Sequence, residues 1–153
     1  MVAEPEGVKS GVTYPVVMKR SIDETAERFD EMSAEYDQAR SESAVAAADR
    51  VVERALGGIA GDETVLDIGT GTGILALAIA PHVEAVYALD ISEQMRAAAR
   101  EKADERGIEN VIVGEGTFRE PAASLDLPDV DIVVSNFAMH HLSDEEKAEA
   151  VAT

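Results

Sequence analysis

The chain lacks cysteine and long apolar runs. With no cysteine among its 153 residues, disulfide bonds, catalysis by a thiolate and zinc sites built from cysteine are excluded. No apolar run approaches the roughly 18 residues that a membrane-spanning helix needs, so a membrane is not an expected partner. The first residues include Glu4 and Glu6 and no apolar segment. A secretory signal is therefore not expected, and the predicted location is cytoplasmic.

Basic residues are scarce as well. Lysine and arginine number 13 against 31 acidic residues, the formal net charge is −18, and only four of the 13 are lysine. A surface this negative repels phosphate backbones, so nucleic acid is not an expected partner, although a local basic groove would escape this argument. An acidic, lysine-poor composition is typical of proteins from very salty cytoplasm and predicts a halophilic source. The alternative is an ordinary acidic protein that its charge keeps soluble.

The apolar content and the length fit one folded domain. The length of 153 residues fits one domain with a stable core, and the 46% of apolar residues is ordinary for a globular protein and too high for a disordered one. Residues 1–20 show little periodicity and are predicted to form a flexible arm. Residues 21–60 are predicted to form two helices, of which the first begins at the capping box Ser21–Glu24 and the second covers Ser43–Leu56. Residues 61–153 form the predicted core.

Short apolar runs alternate with helical patterns in this core. The predicted strands are Thr64–Ile68, Ala85–Leu89, Val111–Val113 and Asp131–Ser135. The predicted helices are Ile74–Ala80, which Pro81 ends, Ser92–Glu105, and a helix that the capping box Ser143–Glu146 begins. This alternation is typical of βαβ units and predicts an α/β fold with a parallel sheet. The consecutive apolar residues 132–134 favour a strand covered on both faces.

A glycine-rich turn follows the first predicted strand. Gly69, Gly71 and Gly73 occupy alternate positions before a helix, and Asp90 ends the next strand 17 residues beyond Gly73. Glycine lets a ligand lie against bare backbone. An acidic residue about 20 positions further on is typical of a group that accepts hydrogen bonds from ribose hydroxyls. The segment therefore predicts an adenosine-containing cofactor. The alternative is a tight turn with Asp90 as a solvated strand end.

Asp67 indicates which cofactor this is. It stands just before the turn, where the pyrophosphate of a dinucleotide would lie, and a carboxylate there would repel a diphosphate. A ligand with an ammonium or sulfonium and no phosphate would be attracted, which favours S-adenosylmethionine. Two alternatives stay open. Gly71-x-Gly73-x-x-Ala76 also fits an NAD-dependent oxidoreductase, and Asp67 could accept hydrogen bonds only from the amides of the turn.

Residues 64–142 resemble the N-terminal part of class I, Rossmann-like S-adenosylmethionine-dependent methyltransferases. They are most similar to the small-molecule methyltransferases of ubiquinone and menaquinone biosynthesis. The similar segments are Val65–Gly73, Ala88–Ser92 with Met95, Gly114–Gly116 and Val133–Leu142. The resemblance implies a Rossmann-like sheet of strand order 3-2-1-4. It also implies methyl transfer from S-adenosylmethionine to a small-molecule acceptor, with S-adenosylhomocysteine as the product.

The resemblance further implies roles for individual residues. Asp67 would hold the ammonium of the cofactor, Asp90 the ribose, and Ile91 the adenine face. Glu115 takes a position where the family often has Asp, near the adenine amino group. The residues implied to bind the cofactor are Tyr36, Asp67, Gly69, Thr70, Gly71, Gly73, Asp90, Ile91, Met95, Glu115, Gly116 and Asn136. The helices of residues 21–60 would cover this site.

A catalytic base and the state of assembly are less defined by the sequence. His140 and His141 are candidates for a general base, the alternative being residues packed in a loop. No metal site is predicted, because no third ligand lies near this pair in sequence. The four predicted strands are fewer than the family's fold has, so we expect a truncated form or a half-domain that completes its sheet as a homodimer. A non-catalytic half-domain that binds S-adenosylmethionine or S-adenosylhomocysteine is the alternative function.

Overall fold

The computed structural model describes residues 57–121, 124–136, 138–139 and 142–152. It also describes residues 23–24, 26–28, 46, 49–50 and 52–54, which are all helical and fall where the two N-terminal helices are predicted. The predicted arm at residues 1–20 lies outside the described residues, as do Tyr36, His140 and His141. Among the described helices, none combines the length and the apolar character needed to cross a membrane.

Four parallel strands form one sheet. They are β1 (Thr64–Ile68), β2 (Ala85–Asp90), β3 (Val111–Glu115) and β4 (Ile132–Val134), in the spatial order β3-β2-β1-β4. This order and the parallel pairing confirm the predicted Rossmann-like α/β fold. β4 is shorter than predicted at both ends. At the carboxyl end of β4, the Ser135 hydroxyl donates to the carbonyl of Ile68 at 2.8 Å, and Ser135 is no longer part of the strand.

In the described part of the chain from residue 57 onwards, three helices accompany the sheet. They are α1 (Ile74–Ile79), α2 (Glu93–Glu105) and α3 (Asp144–Ala152). α1 ends one residue before the predicted position, because Pro81 sits in a 3₁₀ turn over Ala80–His82. The hydroxyl of Ser92 accepts the N–H of Met95 at 3.1 Å and caps α2. α1 and α2 each follow a strand, so their N-termini lie at the carboxyl edge of the sheet.

Both faces of the two central strands are covered. One buried cluster joins the sheet to α1 and includes Val65, Leu75, Ala76, Ile79, Val86 and Ala88. Side chains of adjacent strand residues point to opposite faces, so Leu66, Ile68 and Leu89 form a second cluster on the other side. Phe118, Leu125, Leu127 and Val130 of the β3–β4 connection pack against it. The central strands are therefore held rigidly, and so are the residues at their carboxyl ends.

The prediction that β4 is covered on both faces is wrong at Val133. This side chain is 60% exposed, whereas Ile132 and Val134 pack against the α1 cluster. Val133 lies beside Leu66 in the sheet register, but the described residues of the β3–β4 connection that pack against the cluster of Leu66 leave Val133 exposed. β4 is an edge strand of the described sheet, so one of its faces stays open. The homodimer expected at this edge remains a prediction.

The capping box at the start of α3 is confirmed. The N–H of Ser143 donates to the Glu146 carboxylate at 2.7 Å, and the N–H of Glu146 donates to the Ser143 hydroxyl at 3.2 Å. α3 buries none of its residues, so packing contributes little to its stability.

We expect Ser143→Ala to destabilise the first turn of α3 by about 1 kcal/mol, because the N–H of Glu146 loses the Ser143 hydroxyl as its acceptor. Hydrogen exchange of the amides at residues 145–147 measures the effect. The matched control is Lys147→Ala, which removes only the exposed ion pair with Asp144 at 3.0 Å and should change exchange far less. Equal protection in Ser143→Ala and the unmodified chain would contradict the capping role.

Candidate functional site

Three acidic residues stand at the carboxyl edge of the sheet. Asp67 is the fourth residue of β1, and Asp90 and Glu115 end β2 and β3. Asp90 and Glu115 are direct partners in the strand register, and the Asp90 charge acts on Asp67. In open α/β sheets, ligands bind outside the carboxyl ends of the strands, next to the point where the strand order reverses. Here β1 is that point, with β2 on one side and β4 on the other.

The glycine turn leads from β1 into α1. Gly69, Gly71 and Gly73 all have positive φ, at +76°, +58° and +82°, in the left-handed region that favours glycine. A Cβ on Gly69 would collide with the Cβ of Ala138. The N–H groups of Gly69 and Thr70 both donate to the carbonyl of Leu89, at 2.8 and 2.9 Å. The turn is thereby tied to β2 and leaves bare backbone at the edge.

Asp67 is buried beneath this turn with one oxygen unpaired. The residue is 1% exposed, and its Oδ2 accepts the Thr70 hydroxyl at 2.7 Å. Its Oδ1 has no hydrogen-bond partner among the described residues. Burial raises the pKa of Asp67 to about 7, the Thr70 hydroxyl opposes this shift, and the Asp90 charge adds to it. A cationic group placed at Oδ1 would supply the missing partner and stabilise the ionised carboxylate.

Asp90 connects the turn to the start of α2. Its Oδ2 accepts the N–H of Gly71 at 2.8 Å and its Oδ1 accepts the N–H of Ser92 at 2.9 Å. The residue is 7% exposed, so the alternative of a solvated strand end is wrong. Burial raises its pKa, and the amides of Ser92 and Gly71 and the Arg96 charge oppose that shift. Each carboxylate oxygen has a second acceptor position, so ribose hydroxyls are compatible with both contacts.

The other predicted residues lie around the same edge. Ile91 follows Asp90 and is half-buried, whereas Met95 is buried in α2. Gly116 is buried, and a Cβ there would come within 2.8 Å of both Leu89 and the carbonyl of Pro121. Asn136 is half-buried and follows Ser135, whose hydroxyl is bound to the end of β1. Within the described ranges, no group of three or more histidine or acidic side chains could hold a metal ion.

Two residues that sequence reasoning did not single out complete this edge. The Arg96 guanidinium donates to the carbonyl of Asp90 at 2.8 Å and lies 3.6 Å from the Glu115 carboxylate. The Ser124 hydroxyl accepts the N–H of Glu115 at 2.7 Å and donates to its carbonyl at 2.8 Å. The spacing of Glu93 and Arg96 on one helix face predicts an ion pair. The burial of Arg96 and the contact of Ser124 depend on tertiary structure.

The chain belongs to the methyltransferase domain family, whose model matches residues 65–153. This match covers more than half of the chain and confirms the resemblance to class I methyltransferases. The match argues against the NAD-dependent oxidoreductase alternative, because the glycine turn on which that alternative rested lies within the matched region.

Two curated bacterial relatives illustrate the similarity. The chain is 42% identical over 89 residues to the uncharacterized methyltransferase YcgJ of Bacillus subtilis. The aligned segment covers 57% of this chain and 34% of that protein. It is 32% identical over 131 residues to an uncharacterized methyltransferase of Geobacillus thermodenitrificans. This aligned segment covers 86% of this chain and 57% of that protein. The chain therefore spans between a third and somewhat more than half of these two relatives.

Solved structures show the same fold. The crystal structure of YcgJ superposes with a TM-score of 0.58 at 34% identity, covering 69% of this chain and 43% of that chain. Magnesium protoporphyrin IX methyltransferase from Synechocystis, crystallised with bound S-adenosylmethionine, gives a TM-score of 0.67 at 23% identity. That match covers 92% of this chain and 72% of the other. At this identity the second likeness concerns the fold alone.

Proposed function

We propose that this chain binds S-adenosylmethionine and transfers its methyl group to a small-molecule acceptor. The observation that carries the proposal is the unpaired, buried Oδ1 of Asp67 beneath the glycine turn. A carboxylate oxygen without a partner in a dry position is costly unless a ligand completes it. The ammonium of the methionine part has the charge and the donors to do so. Membership of the methyltransferase domain family supports the same ligand.

The charge of the edge favours this ligand over a dinucleotide. Asp67, Asp90 and Glu115 place three carboxylates at neighbouring strand ends. The one cation described among them, Arg96, is engaged with Glu93 and with the carbonyl of Asp90. A diphosphate at this edge would meet uncompensated negative charge, whereas an ammonium and a sulfonium would be attracted. NAD is therefore a poor ligand for the site.

Each part of the ligand has a proposed partner. The backbone of Gly69 and Gly71 lies along the methionine part, whose ammonium faces Asp67. Asp90 accepts hydrogen bonds from the ribose hydroxyls, and the Glu115 carboxylate accepts one from the adenine amino group. Ile91 and Met95 pack near the adenine, the N–H of Gly116 faces its edge, and Thr70, Gly73 and Asn136 border the methionine end. Tyr36 closes the site in this proposal.

The chain contributes mainly by positioning. When bound, S-adenosylmethionine supplies a methyl group on a positively charged sulfur, so holding an acceptor in line at about 3 Å can provide much of the rate. Asp67 would hold the ammonium and Asp90 the ribose, one on each side of the sulfur, so the sulfonium would be held between the ends of two neighbouring strands. A proton acceptor is needed only where the acceptor must lose a proton. His140 and His141 remain candidates for that role.

The acceptor is proposed to be a small molecule because of charge. The chain carries a formal net charge of −18, which repels nucleic acid and lowers its local concentration. Incubation with methyl-tritiated S-adenosylmethionine and cell extract, separated into metabolites, RNA and protein, tests this. We expect label in the metabolite fraction. Label mainly in RNA or protein would overturn the choice of acceptor, and binding without transfer would favour the non-catalytic alternative.

Asp90 has two roles in this account, and a substitution separates them. We expect Asp90→Asn to weaken S-adenosylhomocysteine binding by about 1–3 kcal/mol, because the remaining oxygen cannot serve both the turn and the ribose. Titration calorimetry measures the change, with the exposed Asp104→Asn as the control of equal charge. The unmodified chain should prefer S-adenosylhomocysteine over its 2′-deoxy analogue, and Asp90→Asn should reduce that preference. An equal loss for both ligands would assign Asp90 to the turn alone.

A further inference from the structure

Arg96 is the buried cation of the acidic edge. Its side chain is only 9% exposed, although it belongs to a chain with 31 acidic residues. It lies in the first turns of α2, directly after the end of β2. An arginine is rarely buried unless its donors are engaged. The guanidinium donates to the carbonyl of Asp90 at 2.8 Å and to the carboxylate of Glu93 at 2.5 Å, and it forms an ion pair with the carboxylate of Glu115 at 3.6 Å.

These contacts connect two neighbouring strand ends. The carbonyl of Asp90 belongs to the end of β2 and the carboxylate of Glu115 to the end of β3. The Glu115 side chain is 60% exposed, so its own packing does not restrict its rotamer. Ser124 holds only the main chain of Glu115. The ion pair with Arg96 is the contact that the described structure gives the Glu115 carboxylate.

Arg100 can be compared with Arg96 as an arginine that stabilises the helix α2. It lies one turn further along α2 and reaches the same Glu93 carboxylate at 3.3 Å. Its other described contact is the carbonyl of Val113 at 3.3 Å, away from Asp90 and Glu115, and its side chain is 46% exposed. Stabilising α2 through Glu93 does not require a buried arginine, because Arg100 already does so from the surface.

We propose that Arg96 is a positioning residue that holds the Glu115 carboxylate at the adenine edge and so makes the site select a 6-amino purine. The inference rests on the proposed function, in which Glu115 faces the adenine amino group. A carboxylate held there accepts a hydrogen bond from an amino group and repels the oxygen of a 6-oxo purine. Without Arg96, the exposed Glu115 side chain adopts other rotamers and the selection weakens.

The experiment compares two ligands that differ only in the 6-amino or 6-oxo group of the purine. Calorimetric titration of the full chain with S-adenosylhomocysteine and with S-inosylhomocysteine gives a preference ratio. We expect the unmodified chain to prefer the adenosyl ligand at least about tenfold, and Arg96→Met to reduce the ratio to about threefold or less. Glu115→Gln should reduce it similarly. The double variant should show no further reduction, because both changes remove the same interaction.

Controls keep the result specific. Arg100→Met removes the surface partner of Glu93 and should leave the ratio unchanged. Arg96→Lys retains the charge with a single donor group, so a folded variant with an intermediate ratio is expected even where Arg96→Met unfolds. An unchanged ratio in the Arg96 variants, or additive effects in the double variant, would overturn the inference. Absence of S-adenosylhomocysteine binding to the unmodified chain would overturn the proposed function, and this inference with it.

Discussion

Replacing Asp67 with asparagine is expected to weaken S-adenosylhomocysteine binding at least about 100-fold and to stabilise the ligand-free protein at pH 8. The two effects have one cause. The Asp67 carboxylate is buried with Oδ1 unpaired, so its charge is unfavourable until a cation arrives. Asparagine removes that charge and leaves the ligand's ammonium without its counterion.

The pH dependence follows from the pKa of Asp67. Burial raises this pKa from 3.8 to about 7 in the folded chain, while the unfolded chain ionises near the lower value. Between these two pH values the folded state binds a proton that the unfolded state has lost, so stability falls as the pH rises through this window. Above about pH 7 both states are ionised and the loss is complete. Ligand affinity should change in the opposite direction and rise from pH 5 to 8.

Chemical denaturation of the unmodified chain and Asp67→Asn at several pH values measures the effect on stability. We expect the variants to be similar near pH 4 and Asp67→Asn to be more stable by about 2–4 kcal/mol at pH 8. Asp129→Asn changes the net charge equally at an exposed position and should show no such divergence. A lower stability of Asp67→Asn at pH 8 would indicate that Asp67 is a structural acceptor for the turn.

Gly69→Ala is expected to lower the unfolding free energy by about 2–4 kcal/mol and to weaken ligand binding. Two costs combine at this position. The backbone has φ of +76°, and the added methyl group collides with the Cβ of Ala138. Relief of that collision must move either the turn or the segment after β4, and both border the proposed methionine end of the ligand.

Two other glycines separate these costs. Gly107 has φ of +64°, and a methyl group added there would meet no atom within 4 Å, so Gly107→Ala isolates the backbone cost of about 1 kcal/mol. Gly58 has open space and no positive φ, so Gly58→Ala should be nearly neutral. Denaturation curves for the three variants should rank them in this order, with ligand binding impaired only in Gly69→Ala. A Gly69→Ala variant as stable as Gly107→Ala would contradict the collision.

The parallel α/β fold was predictable because the local signals agree, whereas the strand order 3-2-1-4 was implied by the resemblance to class I methyltransferases. Apolar runs such as Val65–Ile68 alternate with capped helices, and Ser143 and Glu146 form the predicted box. The acids at the strand ends were also predictable, since strands that run parallel end at one edge. The exposure of Val133 was not predictable, because a run of apolar residues has the same sequence pattern in an edge strand as in a central strand.

The less predictable part of the site depends on burial and tertiary contact. The sequence places Asp67 before a glycine turn, but only the packing of Thr70 against it shows that one oxygen is engaged and the other is not. Arg96 occurs in an alanine-rich helix with other charged residues, and nothing local distinguishes it from the exposed Arg100. Ser124 lies nine residues beyond Glu115, in a connection without regular structure.

The central claim is that the site takes a cationic adenosyl ligand and rejects a dinucleotide. Parallel calorimetric titrations of the full chain with S-adenosylmethionine, S-adenosylhomocysteine and NAD, at low and at molar salt, test it most directly. The account predicts saturable binding of both adenosyl ligands and none of NAD under the same conditions. Binding of NAD in preference to them, or no binding of either adenosyl ligand at any salt concentration, would contradict it.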